Sequence, residues 1–425
     1  MNLHNMLPKF SQIICALLIS SVSLITFADE AENLPNYKDE ALTGDWNGNR
    51  TDLYKKGIEF GIVHKSDVLL NTSGGIKRGT AWEGHTELGL SLDFEKMLGW
   101  NSTTAYVLYH SQLGSKFNNY YVGSNSGVDN IEVTTNTAQF YQAWLQKNFY
   151  NNQLSLLAGL YAVDSEFQIS DTSGLFINPV YGVNNEYAQS GQAGPAVFPL
   201  GALGLRAKYT SPAKNFYAMG AITDGVPGDP NNGHGTHIKL GRGDGTFSIV
   251  EFGYTPQLEG LAEGAEYYSK VAFGFWGYSA KVADLDPSVT YKHYSQGIYL
   301  LGEQSLYVEQ GHPAQGLAGF VRIGFAPEKT QQVDWMGSVG LRYHGIFDGR
   351  DDDIAGVALT TNHASNLYRN LNGSDHYETE LEVTYRAQIK PWLALQPDVQ
   401  YIINPNMDLN LKDAWVFGLR TEVNF

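Results

Sequence analysis

The sequence predicts an all-β fold: a transmembrane, antiparallel, up-and-down β-barrel of sixteen strands, with a short helix near the N-terminus. Three observations carry that prediction. The chain ends on a strict period-2 pattern, the pattern recurs in segments of about ten residues, and the connections between segments alternate between short and long. In 413–425, Trp415, Phe417, Leu419, Thr421, Val423 and Phe425 share one face, and Gly418, Arg420, Glu422 and Asn424 the other. One row suits lipid and the other a watery lumen.

Residues 1–28 read as a secretory signal: Lys9, an apolar stretch broken by Ser and Thr, then small Ala28 before Asp29. The single cysteine, Cys15, lies inside it, so the exported chain has no thiol, disulfide or cysteine-based metal site. Residues 29–57 form an expected periplasmic segment with a short helix, which Thr51 would cap and Gly57 would end. Residues 58–425 are then one barrel, because no linker, charge block or low-complexity tract divides them.

Reading alternation and turn residues along the chain gives strands near 58–70, 85–95, 102–111, 138–149, 153–162, 202–210, 215–223 and 246–255. Eight more lie near 267–279, 296–308, 317–326, 333–346, 353–361, 376–388, 392–403 and 413–425. Even-numbered connections are mostly short, such as 96–101, 151–152 and 389–391. Odd-numbered ones tend to be long, such as 71–84, 112–137, 163–201, 224–245 and 362–375. Short turns at one end and long loops at the other are what an up-and-down outer-membrane barrel shows.

Parity also assigns faces. Leu381 and Val383 oppose Glu380, Glu382 and Arg386; Leu395 and Val399 oppose Asp398; Leu205 opposes Arg206 and Lys208; Val321 opposes Arg322. An Arg or Lys facing mid-bilayer lipid costs about 2–4 kcal/mol. The charged rows are therefore assigned to the lumen wall: Glu380, Glu382, Arg386, Asp398, Arg420 and Glu422.

A net charge of −16, or −17 once Lys9 leaves, argues against nucleic acid or anionic lipid as partner. His234 and His237 in a Gly/Asn/Pro-rich loop, and the acidic run 348–353, lack the companions or spacing of metal sites and read as solvated turns. Glu380 and Glu382 sit side by side on one strand rather than across a cleft, which is not the arrangement of a glycosidase pair. No cofactor, metal or catalytic set is assigned.

The chain also resembles the carbohydrate-selective outer-membrane porins, the OprB-type family. The residues that carry the resemblance are Gly44-Asp-Trp-Asn-Gly-Asn-Arg50 near the start, 158–167, 173–178 and 194–199 in the middle, and 391–405 with 416–421 at the end. The terminal Phe425 is similar to the C-terminal aromatic that serves outer-membrane barrels as an assembly signal. The resemblance implies outer-membrane lipid and lipopolysaccharide, the assembly machinery, small sugars and ions as partners. It also implies second and third outer loops that fold inward and narrow a pore for glucose and similar sugars. Many members carry a basic residue after the fifth-strand glycine, where this chain has Leu160.

A sugar needs hydrogen-bond partners for its hydroxyls and flat apolar faces for its ring. The candidate contacts are Asp164, Glu166, Phe167, Asn178, Glu186 and Tyr187 in the third loop, with Arg206, Lys208, Arg322 and Arg342 as the basic side. Two other readings stand beside this one. The first is a general or cation-favouring pore; the second, from another class, is a secreted β-rich glycan-binding protein or glycosidase.

Overall fold

The computed structural model describes residues 34–256 and 266–425. Sixteen antiparallel strands bond in chain order, and the first closes on the last to form a barrel. They are β1 Ile58–Gly75, β2 Gly79–Asp93, β3 Thr103–Gly114, β4 Thr137–Phe149, β5 Leu154–Tyr161, β6 Ala202–Thr210, β7 Phe216–Asp224 and β8 Thr246–Tyr254. The second half comprises β9 Ser269–Ala283, β10 Lys292–Glu309, β11 His312–Phe325, β12 Val333–His344, β13 Ile354–Ala364, β14 Tyr377–Lys390, β15 Leu393–Ile403 and β16 Lys412–Asn424. Each corresponds to one of the sixteen expected segments. The signal assigned to 1–28 lies outside the described residues.

Parity holds around the wall. Leu381 and Val383 are exposed on the outside while Glu380 and Glu382 point inward and are fully buried. Trp415, Phe417 and Leu419 face out beside an inward Arg420. Leu160 pairs with Ala143 and Leu203, and exposed Leu203 places that row on the lipid side.

Two expectations need correction. The first connection is not a long loop over 71–84, because β1 and β2 run on and leave only 76–78 between them. Asn-Thr-Ser-Gly-Gly looks like a loop, yet β16 pairs with it through Ser73↔Trp415 and Gly75↔Lys412. The Asn71 amide also donates to the carbonyls of Gly74, Lys77 and Tyr121. Gly74 is required there: at φ +66° a Cβ would meet the Asp413 carbonyl oxygen.

The second correction concerns the short helix, which spans Asn49–Lys55 and so begins before Thr51. Asp45, not Thr51, supplies the capping oxygen, accepting from both the N–H and the hydroxyl of Thr51 at 2.9 Å. Gly57 follows the helix at φ +86°, as its terminator role requires.

This segment clips onto the barrel seam. The Leu42 N–H donates to the Asn424 carbonyl at 2.8 Å. Arg50 donates to the backbone oxygens of Phe425 and Phe60, each at 2.9 Å. Its guanidinium lies 4.3 Å from the Tyr37 ring centroid and 5.0 Å from that of Trp46. The Asp-Trp and Arg of the opening motif are thus tied to joining β1 with β16.

Candidate functional site

Two outer loops fold inward onto the barrel wall: the second, 115–136, and the third, 162–201. Each carries backbone N–H groups that leave water, and inward carboxylates of the wall accept them. Glu251 on β8 takes the Gln168 N–H, and Glu303 on β10 takes the Thr172 N–H with the hydroxyls of Ser170 and Thr172. Glu382 on β14 takes the N–H groups of Ile177 and Asn178, while Glu380 takes the Asn178 amide. Glu378 takes the N–H groups of Asn125 and Ser126 from the second loop, together with the hydroxyls of Ser124 and Ser126. Bonds of this charge-assisted kind are about twice as strong as neutral ones.

The loops also join each other. The Asn130 N–H donates to the Ile177 carbonyl, Asn178 to the Gly127 carbonyl, and Asn185 to Asn125. Arg420 on β16 holds Asp67 at 2.6 Å and Asp129 at 3.0 Å, tying the second loop to the seam.

Most of the candidate contact residues are spent on this anchoring. Arg322 donates to the carbonyls of Tyr181 at 2.6 Å and Gly182 at 2.9 Å, and Arg342 to that of Asp171 at 3.2 Å. Phe167 and Tyr187 sit in an aromatic core, with Tyr187 edge-on to Phe247 and Trp276. Asp164 accepts from the Tyr141 hydroxyl at 2.6 Å and the Phe198 N–H at 2.8 Å. Asn178 and Glu186 are 1 % and 0 % exposed, so neither is open to a solute. The physical reason is general: a loop that narrows a pore must seal one of its faces against the wall.

The lumen-wall assignments need the same correction. Glu380, Glu382 and Asp398 face inward but lie beneath the loops, not in open water. Arg386 and Glu422 pair at 3.0 Å, with side chains 9 % and 15 % exposed.

What remains open is a smaller, mixed-charge set. Glu166 keeps partial exposure beside Arg206, at 2.7 Å, and Lys208 is half-buried on the same strand. Sequence reasoning passed over three more. Glu87 on β2 sits 2.9 Å from His85, Lys270 on β9 donates to the Ile169 carbonyl, and Asp171 is exposed on the third loop. Parity places Glu87 and Lys270 inward, but only the loop path shows that they stay uncovered.

Burial sets the charge states inside the third loop. It pushes the Asp164 carboxyl up to about 6 against bonds from Phe198 and Tyr141. It pushes Glu186 up to about 7, and Glu186 Oε2 has no partner among the described residues. Burial also raises Glu166, but Arg206 and Lys208 more than offset it and hold that carboxyl below its ordinary value.

Comparison with known proteins agrees with this architecture. The chain is 23% identical to Porin B of Pseudomonas aeruginosa, with 98% of each chain covered. It is 26% identical to the Putative porin QuiX of Acinetobacter baylyi, over 90% of this chain and 93% of that one. Its fold matches a high-pH structure of Pseudomonas putida OprB at a TM-score of 0.80 and 22% identity, covering 93% of this chain and 100% of that one. Residues 77–425 match the model of the carbohydrate-selective porin, OprB family, and the chain belongs to that family of outer-membrane channels.

Proposed function

We propose that the pore passes small neutral sugars by diffusion through the gap left by the two inward loops, with Glu87, Glu166, Asp171, Lys208 and Lys270 as the polar contacts. The observation that carries this reading is the mixture of carboxylates and ammonium groups on one narrowed lining. Sugar hydroxyls both donate and accept, so a neutral polyol replaces its lost water with partners of both kinds. An anion meets the carboxylates unshielded at a narrow, low-dielectric point, and the whole chain is negative by sixteen charges. The same charge favours cations over anions, and a cation bias is therefore part of the proposal. The channel holds its solute only by reversible contacts, and export removes residues 1–28 before assembly in the outer membrane.

Planar-bilayer recording with glucose, maltose and gluconate tests the reading. Glucose is expected to reduce ion current and pass, maltose to pass slowly, and gluconate to be excluded. Changing Glu166 and Asp171 to Gln and Asn should move the reversal potential toward anions and weaken the glucose effect. Unchanged selectivity and unchanged glucose effect in that variant would place the contacts elsewhere.

A further inference from the structure

Two lysines stand on the outside of the barrel where its lipid-facing rows end. On β9 the outward row climbs from Phe273 and Phe275 to Lys281, and on β10 from Gln304 through Leu300 and Ile298 to Tyr294 and Lys292. Lys281 and Tyr294 pair across the two strands. Both lysines are exposed, and both lie at the end of the barrel that carries the second and third loops, since 284–291 joins β9 to β10 there.

Their depth follows from strand geometry. Two residues advance about 6.8 Å along a strand and about 5 Å along the axis of a barrel tilted near 45°. The outward row from Gln304 to Tyr294 takes five such steps and so spans about 25 Å, the height of the apolar band. Tyr294 and its partner Lys281 therefore stand at the outer edge of that band, where headgroups begin, and Lys292 stands about 5 Å further out. Tyr291 and Tyr294 hold the Lys281 ammonium between their rings, 4.9 Å from each centroid, and the Tyr291 hydroxyl takes one of its three donors at 3.3 Å. Among the described residues no carboxylate pairs with Lys281 or Lys292; Asp284, just past the end of β9, is taken by His293 at 2.8 Å.

We infer that Lys281 and Lys292 form a docking site for a phosphate of lipid A, the phosphorylated glycolipid of the outer leaflet. The chain's balance of −16 argues against anionic lipid as a general partner, so the attraction has to be local, and two unpaired ammonium groups at the headgroup level supply it. A phosphate accepts several charge-assisted hydrogen bonds and replaces the water that both groups lose at the edge of the band. The two rings already fix the Lys281 head, so docking costs less side-chain freedom than at a bare surface lysine. The acyl chains below such a phosphate meet the exposed row of Phe273, Phe275, Ile298 and Leu300. Phospholipid phosphates of the inner leaflet lie at the opposite rim, which leaves lipid A as the source of phosphate at this one.

The test is native mass spectrometry of the folded full chain in detergent, titrated with bisphosphorylated lipid A. One lipid A per barrel is expected to be retained, and lipid A stripped of both phosphates is expected to be lost. Lys281→Gln with Lys292→Gln should raise the Kd roughly thirtyfold, the effect of two lysines at a lipid surface. Lys239→Gln alters an outer-loop lysine already paired with Asp229 and should leave the Kd as it was. Heat-modifiable migration and unchanged conductance verify that the double variant is folded, since both side chains stand outside the lumen. Should it not fold, each single variant takes its place and should raise the Kd about fivefold. The inference is overturned by equal retention of dephosphorylated lipid A, by folded variants that bind as before, by an equal loss in Lys239→Gln, or by cardiolipin held as tightly as lipid A.

Discussion

At the scale of single residues, Arg420 shows what alternation can and cannot reveal. Period-2 parity puts it inside, but its partners lie 353 and 291 positions away, at Asp67 and Asp129, and no local pattern links them. Removing the guanidinium leaves two neighbouring carboxylates buried without a countercharge, a change that costs about 3–5 kcal/mol. Arg420→Met should therefore lower the temperature at which the folded, heat-modifiable band is lost, and Asp67→Asn added to it should recover part of the loss. Asp164 and Glu186 give a pH dependence of definite sign. Their folded-state values, about 6 and about 7, lie above the ordinary 3.8 and 4.5. The proton is thus bound more tightly in the folded loop. The stabilisation is full below the ordinary values and is lost as pH rises through about 6 to 7. Single-channel current should grow noisier between pH 5 and 8 as the third loop loosens. Asp164→Asn with Glu186→Gln should remove that trend.

At the scale of elements, the strands were legible and the loop path was not. Each strand repeats one local rule, apolar out and polar in, so sixteen segments could be read independently. The third loop obeys no period; its course is set by Glu251, Glu303, Glu380 and Glu382, which come from three other strands. That is why Asp164, Asn178, Glu186 and Tyr187 looked like pore contacts: loop composition shows polarity and aromaticity, but not which face is sealed. The same anchors give a prediction. Glu303→Leu deletes the acceptor of one N–H and two hydroxyls of the third loop. Each hydrogen bond to a charged group is worth about 1.5–3 kcal/mol. The loop should leave the lumen part of the time, raising mean conductance and admitting maltose at a rate nearer that of glucose. Glu378→Leu should act through the second loop, with a milder effect on sugar size because the third loop stays anchored.

At the scale of the whole molecule, the β1–β16 pairing that closes the barrel is reinforced by a contact outside the sheet. The seam of β1 and β16 is where a barrel can open, and the N-terminal segment lies across it through Leu42 and Arg50. Phe425 meets that seam twice, donating its N–H to the Ile62 carbonyl and offering its own backbone oxygen to Arg50. Its proposed part as an assembly signal and its part in the clamp are therefore separable. Arg50→Ala keeps Phe425 and its ring but strips the backbone oxygens of Phe60 and Phe425 of their charged donor, a loss of about 1.5–3 kcal/mol per bond. It should reach the outer membrane in normal amount and lose its heat-modifiable band at a lower temperature. Deleting Phe425 removes the aromatic itself, and unfolded chain should then accumulate in the periplasm at any temperature. Normal assembly without Phe425, combined with the same thermal loss as Arg50→Ala, would leave the residue only its part in the seam.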